Sequence, residues 1–290
     1  MMKNIKKITF YIAALLLFAS CGVDNPIDSE QYFKQIYLVG AYNTLQEKEV
    51  AYQDEPTEIF VSVAVSGSLQ TDEDISATLG LAHQVNIDNY NYKNVTGEDA
   101  VQYVALSSDA YSLSAWNCTV KSGEQYVRVP ITIKSDKISC DERRVIPLKI
   151  TDADVTIASD TVLLISLKMV NDYSGACSMS GKSVQYDNSG NLIPENTSSI
   201  STPRTLTAVN KNTVRLFHKA MPEKNSNISK YAFTLTVNPD NTVAVDAWDE
   251  LAITDGGGTY NPVEKTFAVW YDYVENGKKY KMELTIVGEK

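Results

Sequence analysis

The side chains of this 290-residue chain whose types and spacing could do chemistry are aromatic rings set among amides and carboxylates. In NIDNYNYKN, residues 86–94, Tyr90 and Tyr92 fall on one side of an extended segment crowded with Asn86, Asp88, Asn89, Asn91 and Asn94. Trp248 stands next to a turn in AWDEL, and Tyr260 follows Gly256-Gly257-Gly258. Trp270 has the opposite parity to Phe267, Val269, Tyr271 and Tyr273 in KTFAVWYDYV, so one of those two sets must face away from the core. A ring exposed in this way offers a flat apolar platform to the C–H face of a sugar, while neighbouring amides and carboxylates take the hydroxyls. Tyr90, Tyr92, Trp248, Tyr260 and Trp270 are accordingly the candidate glycan-binding residues. Cross-strand packing competes for the same rings, and on that ground Trp116 in SAWNCTV reads as core.

Catalysis finds little to work with. The two histidines, His83 and His218, lie 135 positions apart, each within an alternating strand. No G-x-S-x-G elbow, H-E-x-x-H pair or phosphate-cradling glycine loop occurs, and Asp255-Gly256-Gly257-Gly258 reads as a flexible turn. A glycosidase needs two carboxyl groups about 5 to 9 Å apart. The acids that cluster are Asp72, Glu73 and Asp74, then Asp152 with Asp154, then Asp246, Asp249 and Glu250, all in or beside turns where acids are solvated. Asp152 and Asp154 could offer oxygens to calcium but lack a full ligand run. Cys118, Cys140 and Cys177 have no C-x-x-C spacing; a 118–140 bridge and buried free thiols both remain open. The expectation is a protein with no catalytic residue, no metal and no cofactor.

The elements that must position the rings are strands. Val61, Val63 and Val65 share one face of EIFVSVAVSG; Ile75, Ala77, Leu79 and Leu81 share one face of ISATLGLAH. YVRVPITIK buries Val127, Val129, Ile131 and Ile133, with Pro130 on the outer face pointing to an edge strand or a bulge. VIPLKI repeats the scheme, and TVLLISLKMV is apolar on both faces, as a covered central strand is. No helical period of useful length competes. Residues 35–171 read as an immunoglobulin-like β-sandwich. Residues 172–290 read as a β-rich domain, an antiparallel sandwich or small barrel. In it Ser174–Ser201 holds one irregular strand and a long loop, and Asn238-Pro239-Asp240-Asn241 and Glu275-Asn276-Gly277-Lys278 close tight hairpins. The fold class is all-β.

The amino terminus sets the location. Lys3, Lys6 and Lys7 precede an apolar run from Ile8 to Ala19, and Ala19-Ser20 supply small residues before Cys21. At about 1.5 Å per residue that run spans roughly 18 Å, short of the about 30 Å of a bilayer core. Residues 1–20 thus read as a cleaved lipoprotein signal, Cys21 as the lipidated residue and 21–34 as a tether. The chain carries 36 acidic and 26 basic residues, a net charge of −10, which excludes the basic footprint of a nucleic-acid binder.

The signal resembles the bacterial lipobox, with Phe18 where leucine is usual. YVALSSDAYSLSAWNCTVKSGEQYVRVPITI followed by RRVIPLKITDADVTIASDTVLLISLK resembles the N-terminal immunoglobulin-like module of Bacteroidetes surface lipoproteins encoded among glycan-utilisation genes. RTLTAVNKNTVRLFHKA through YAFTLTVNPDNTVAV to the C terminus resembles the β-rich domain often fused to it. That resemblance implies a lipid-anchored outer-membrane protein, facing the cell surface. It would hold a polysaccharide or oligosaccharide for the transporter proteins of its own locus, with the membrane as its other partner. The alternative is a fimbrial or adhesion subunit, since some pilins of that bacterial group are two-domain β lipoproteins of similar length.

Overall fold

The structure, a computed structural model, describes residues 30–159 and 161–289. The signal, Cys21 and the first part of the tether lie outside the described residues. In the first domain the alternating runs build two facing sheets. One has the order β10–β1–β3–β8–β6, from Thr156–Ile157, Gln35–Leu38, Thr57–Ser66, Tyr126–Ile133 and Tyr111–Leu113. The other runs β2–β11–β9–β4–β7, from Leu45–Ala51, Val162–Val170, Arg143–Ala153, Ile75–Leu81 and Asn117–Val120, with β5 (Tyr103–Ala105) beside β9. The inward parity of each strand supplies the core: Ile36, Leu38, Val61, Val63, Ile131 and Ile133 meet Ile146, Leu148, Leu163 and Ile165. Burial of this apolar surface is the main force holding the sheets together. Pro130 sits just beyond the three residues of β8 that the edge strand β6 covers.

The doubly apolar strands β9 and β11 are covered outside by a helix, α1 (Gln84–Asn94), where the sequence pattern suggested an extended segment. Ile87 packs on Val145 and Leu164. Four residues on, Asn91 donates from Nδ2 to the Tyr103 carbonyl at 2.8 Å and accepts the Tyr103 amide at 2.9 Å. One aliphatic and one amide thus anchor the helix, and two anchors leave no apolar stripe to read. His83 precedes α1 instead of lying in a strand. Trp116 is 41% exposed and not core, its backbone carbonyl receiving the Leu79 amide.

The second domain closes into an eight-stranded barrel, β12 to β19, each pairing with its neighbour and β19 returning to β12. The polar stretch expected as a loop forms the two longest strands here, β12 (Gly175–Tyr186) and β13 (Leu192–Ala208). They are zipped along the backbone from Gly175↔Leu206 to Val184↔Thr197, with Asp187 accepting the Ser189 and Asn191 amides in the turn. Next come β14 (Thr213–Phe217), β15 (Ala232–Val237) and β16 (Thr242–Ala247), then β17 (Ile253–Asn261), β18 (Thr266–Glu275) and β19 (Lys278–Gly288). The triple glycine is strand, not turn: a Cβ on Gly258 would collide with the Ala268 carbonyl of β18, so the missing side chain permits the close approach. Asn276 and Gly277 have φ of 51° and 73°, as the last hairpin's Asn-Gly step requires. Cys118, Cys140 and Cys177 are free thiols.

Carboxylates of the sandwich grip the barrel. Asp54 pairs with Lys211 at 2.5 Å, and Asp99 accepts the amides of Asn225 and Ser226 at 2.6 and 2.8 Å. Asp141 stands 2.5 Å from Arg215, whose guanidinium is stacked 4.5 Å from the centre of the Trp248 ring. Arg215 is only 5% exposed, and a cation so placed is stabilised only while its counter-charge stays. Asp141→Ala is expected to destabilise the protein by about 2 kcal/mol, read as a lower midpoint in urea unfolding. An unchanged midpoint would show that the pair contributes nothing.

Inside the barrel, His218 shares a 2.7 Å hydrogen bond between Nδ1 and the Tyr271 hydroxyl and meets Tyr273 edge-on. Burial, then the nearby charge of Lys219, push its pKa down to about 3. The unfolded chain takes up that proton near 6.5, so unfolding gains a proton below this value. Stability is therefore complete above about pH 6.5 and falls as pH drops toward 3, with a slope approaching about 1.4 kcal/mol per unit from this residue. A His218→Gln variant should lose that part of the slope in denaturation curves between pH 6 and 4.

Candidate functional site

Strand parity sorts the candidate rings. In β18 the odd positions Phe267, Val269, Tyr271 and Tyr273 are buried in the barrel, which turns Trp270 outward. On that outer wall Trp270 stands between Gly257 of β17 and Glu283 of β19. Gly257 has no side chain to cover the indole on its side. Lys281 places its ammonium 4.8 Å from the centre of the Trp270 ring, and Glu283 pairs with Lys182 of β12 at 3.0 Å. A shallow groove of about 620 Å³ runs over this wall, lined by Trp270, Ala268, Lys281, Glu283, Lys182 and Ser199 among others.

The same wall carries a second aromatic, Tyr186, on β12. Its hydroxyl donates to Asp272 Oδ1 at 2.9 Å, the other Asp272 oxygen pairs with Lys279 at 2.9 Å, and the Lys279 ammonium lies 5.0 Å from the Tyr186 ring centre. Burial first, then the Asp272 carboxylate, push the Tyr186 phenol up to about 12, so it stays a neutral donor at physiological pH. The carboxylate is only 7% exposed despite facing outward, because the tyrosine and lysine cover it. Sequence reasoning missed this trio. Its signal was there in β18: Ala268, Trp270 and Asp272 share one parity, and a carboxylate among aromatics marks the wet face. The arrangement offers an indole and a phenol as stacking surfaces, with ammonium donors and carboxylate acceptors in between, which is the equipment for holding a polyhydroxylated ring.

The other candidate rings are placed differently. Tyr260 is 8% exposed, edge-on to Tyr173 at 5.0 Å and tilted on Phe267 at 4.6 Å. It belongs to the barrel core and presents no ring face to solvent, so it leaves the binding set. Trp248 is half-buried with Arg215 on its face, at the seam where Asp141 arrives from the sandwich. Tyr90 and Tyr92 are two positions apart on α1, about 200° around a helix, and so do not share a side. Tyr90 packs edge-on against Tyr103, while Tyr92 is 88% exposed.

Five of the carboxylates weighed for acid–base work hold loops and turns. Asp72 pairs with Lys34 and Asp74 with Lys121; Asp154 accepts the Ser76 amide; the Ser229 hydroxyl lies 2.7 Å from both the Asp249 and Glu250 carboxylates and donates its one proton to either. A separate cleft of about 630 Å³ lies between the domains, where Tyr103 and Arg143 of the sandwich face Thr205–Ala208 of β13; it contains none of the predicted rings. Among the described residues no helix is long and apolar enough to cross a membrane.

Comparison with known proteins supplies the context for this geometry. A family model described as a "-like, N-terminal domain" matches residues 30–157, and one described as "-like, C-terminal" matches residues 161–287. No curated protein matches the sequence. Among solved structures, a protein of unknown function from Bacteroides ovatus superposes with a TM-score of 0.65 at 17% identity, covering 87% of this chain and 94% of that one. A multidomain protein from Bacteroides ovatus that includes a DUF1735 domain has a TM-score of 0.63 at 18% identity, covering 84% and 90%. An auxiliary nutrient binding protein from Bacteroides thetaiotaomicron has a TM-score of 0.60 at 13% identity, covering 86% and 92%. At such identities the likeness is one of fold, and it extends across both domains. The two models thus match the two domains separately, one over residues 30–157 and the other over residues 161–287.

Proposed function

We propose that this protein is a non-catalytic glycan-binding lipoprotein, anchored through Cys21 at the outer membrane and presenting a polysaccharide or oligosaccharide to a neighbouring importer. The observation that carries the reading is Trp270, turned outward on a closed barrel with Tyr186, Asp272, Lys281 and Glu283 around it. A stacking ring on a regular strand keeps its orientation without a ligand, so little ordering cost is left for binding. The lipobox-like leader and the fold shared with a Bacteroides nutrient binding protein support the same reading. In the assembly-subunit reading an edge strand must detach for donor-strand exchange. The edges available to such exchange include the sandwich's end strands β10, β6, β2 and β7, and that reading gives the Trp270 wall no role, which ranks it second.

Affinity electrophoresis and calorimetry against a broad panel of neutral glycans test the proposal. The chain is expected to bind at least one without releasing products, and Trp270→Ala to weaken that binding at least tenfold, about 1.4 kcal/mol, with an unchanged melting temperature. Tyr260→Ala should do the reverse, lowering the melting temperature by opening a core cavity worth about 3 kcal/mol while the surviving folded protein binds as before. Absence of binding across the panel, or full binding by Trp270→Ala, refutes the assignment to this wall.

A further inference from the structure

The outer face of the sandwich sheet carries a second aromatic site that none of the sequence motifs marked. Parity in β1, β3 and β8 turns Ile36, Val63 and Val129 inward and Tyr37, Ala64 and Tyr126 outward. These three residues lie in one row across the sheet, Tyr37 opposite Ala64 and Ala64 opposite Tyr126. Strands are about 4.8 Å apart, so the two tyrosines stand roughly 9.5 Å from each other with only a methyl group between them. Two ring contacts of about 3.5 to 4 Å each would occupy 7 to 8 Å of that span, leaving room for one ring lying between the tyrosines. Ala64 is 7% exposed at the floor and Tyr126 is 53% exposed at the wall.

The next row along the strands sets the chemistry. Arg128 sits opposite Ser62 and, with Gln125, lines the same hollow of about 380 Å³. Its guanidinium rests 5.4 Å from the centre of the Phe60 ring and pairs with no carboxylate among the described residues. In a chain with ten more acidic than basic residues, an exposed arginine left without an acid is available to an anion from outside.

We infer that the Tyr37–Ala64–Tyr126 slot, with Arg128 at its end, binds one acidic sugar residue: the pyranose ring stacks between the tyrosines and its carboxylate meets the guanidinium. The site goes beyond the barrel platform, borrowing from that reading only the class of ligand, and it stands on a different domain. The test is calorimetry of the full chain with a homogeneous oligogalacturonate, and with its methyl ester as the uncharged control. The acid form should bind at least tenfold tighter than the ester. Tyr126→Ala and Arg128→Met should each weaken acid binding at least tenfold with unchanged melting temperatures, while Trp270→Ala leaves it unaltered. Equal affinity for acid and ester, retention of binding by Arg128→Met, or no binding of either form overturns the inference. Loss of acid binding in Trp270→Ala alone would instead assign that ligand to the barrel wall and likewise overturn it. Neither result alters the outcome of the neutral-glycan panel, so the two sites stand or fall separately.

Discussion

Closure of the second sheet is the constraint on which the rest depends. Because β12 pairs with both β13 and β19, the sheet closes on itself, and its strands send alternate side chains into one interior. That interior takes the large rings Phe233, Phe267, Tyr271 and Tyr273. Tyr273 pairs there with Ser183 at 2.7 Å and Tyr271 with His218 Nδ1 at 2.7 Å, while His218 Nε2 has no hydrogen-bond partner. What the interior takes on odd positions of β18, the outer wall receives on even ones. The outward turn of the half-buried Trp270 is thus a consequence of packing elsewhere and not an independent decision.

A wall built this way is rigid in proportion to what lies beneath it. Backbone pairing runs without interruption from Thr266↔Val287 to Glu275↔Lys278, and on the other side of β19 from Cys177↔Gly288 to Gln185↔Tyr280. The indole and the phenol are therefore set on a three-strand surface whose lateral order is fixed. The acid grips at Asp54, Asp99 and Asp141 then join the barrel to the sandwich, over a linker of a few residues between Val170 and Gly175. Of the three, only the Arg215 pair is largely withdrawn from solvent, and exposed pairs contribute little, so the seam depends on Arg215 and its cover of Trp248 more than on the others.

Much of this was legible from residues alone, and the gaps have physical causes. Where a strand has one wet face, as in EIFVSVAVSG and YVRVPITIK, alternation shows it directly. The signal fades for β12 and β13, whose Ser and Thr side chains carry no apolar pattern and which are held by the backbone ladder between them, with β19 on the other flank of β12. It misleads at Gly256-Gly257-Gly258, where glycine serves close approach and not a turn. It fails at α1, which needs only Ile87 and the two bonds of Asn91 to stay in place.

The sequence by itself determined the all-β class, the two-module plan, the hairpins at Asn238–Asn241 and Glu275–Lys278, and the opposition of Trp270 to its strand neighbours, because each of these is a local property of adjacent residues. Only the tertiary structure decided which parity faces water, that Tyr260 fills the core, that Tyr186, Asp272 and Lys279 meet on one wall, and that Tyr37 and Tyr126 flank Ala64. Those outcomes depend on which strands lie side by side, and lateral neighbours are chosen by closure and by the burial of surfaces far apart in the chain.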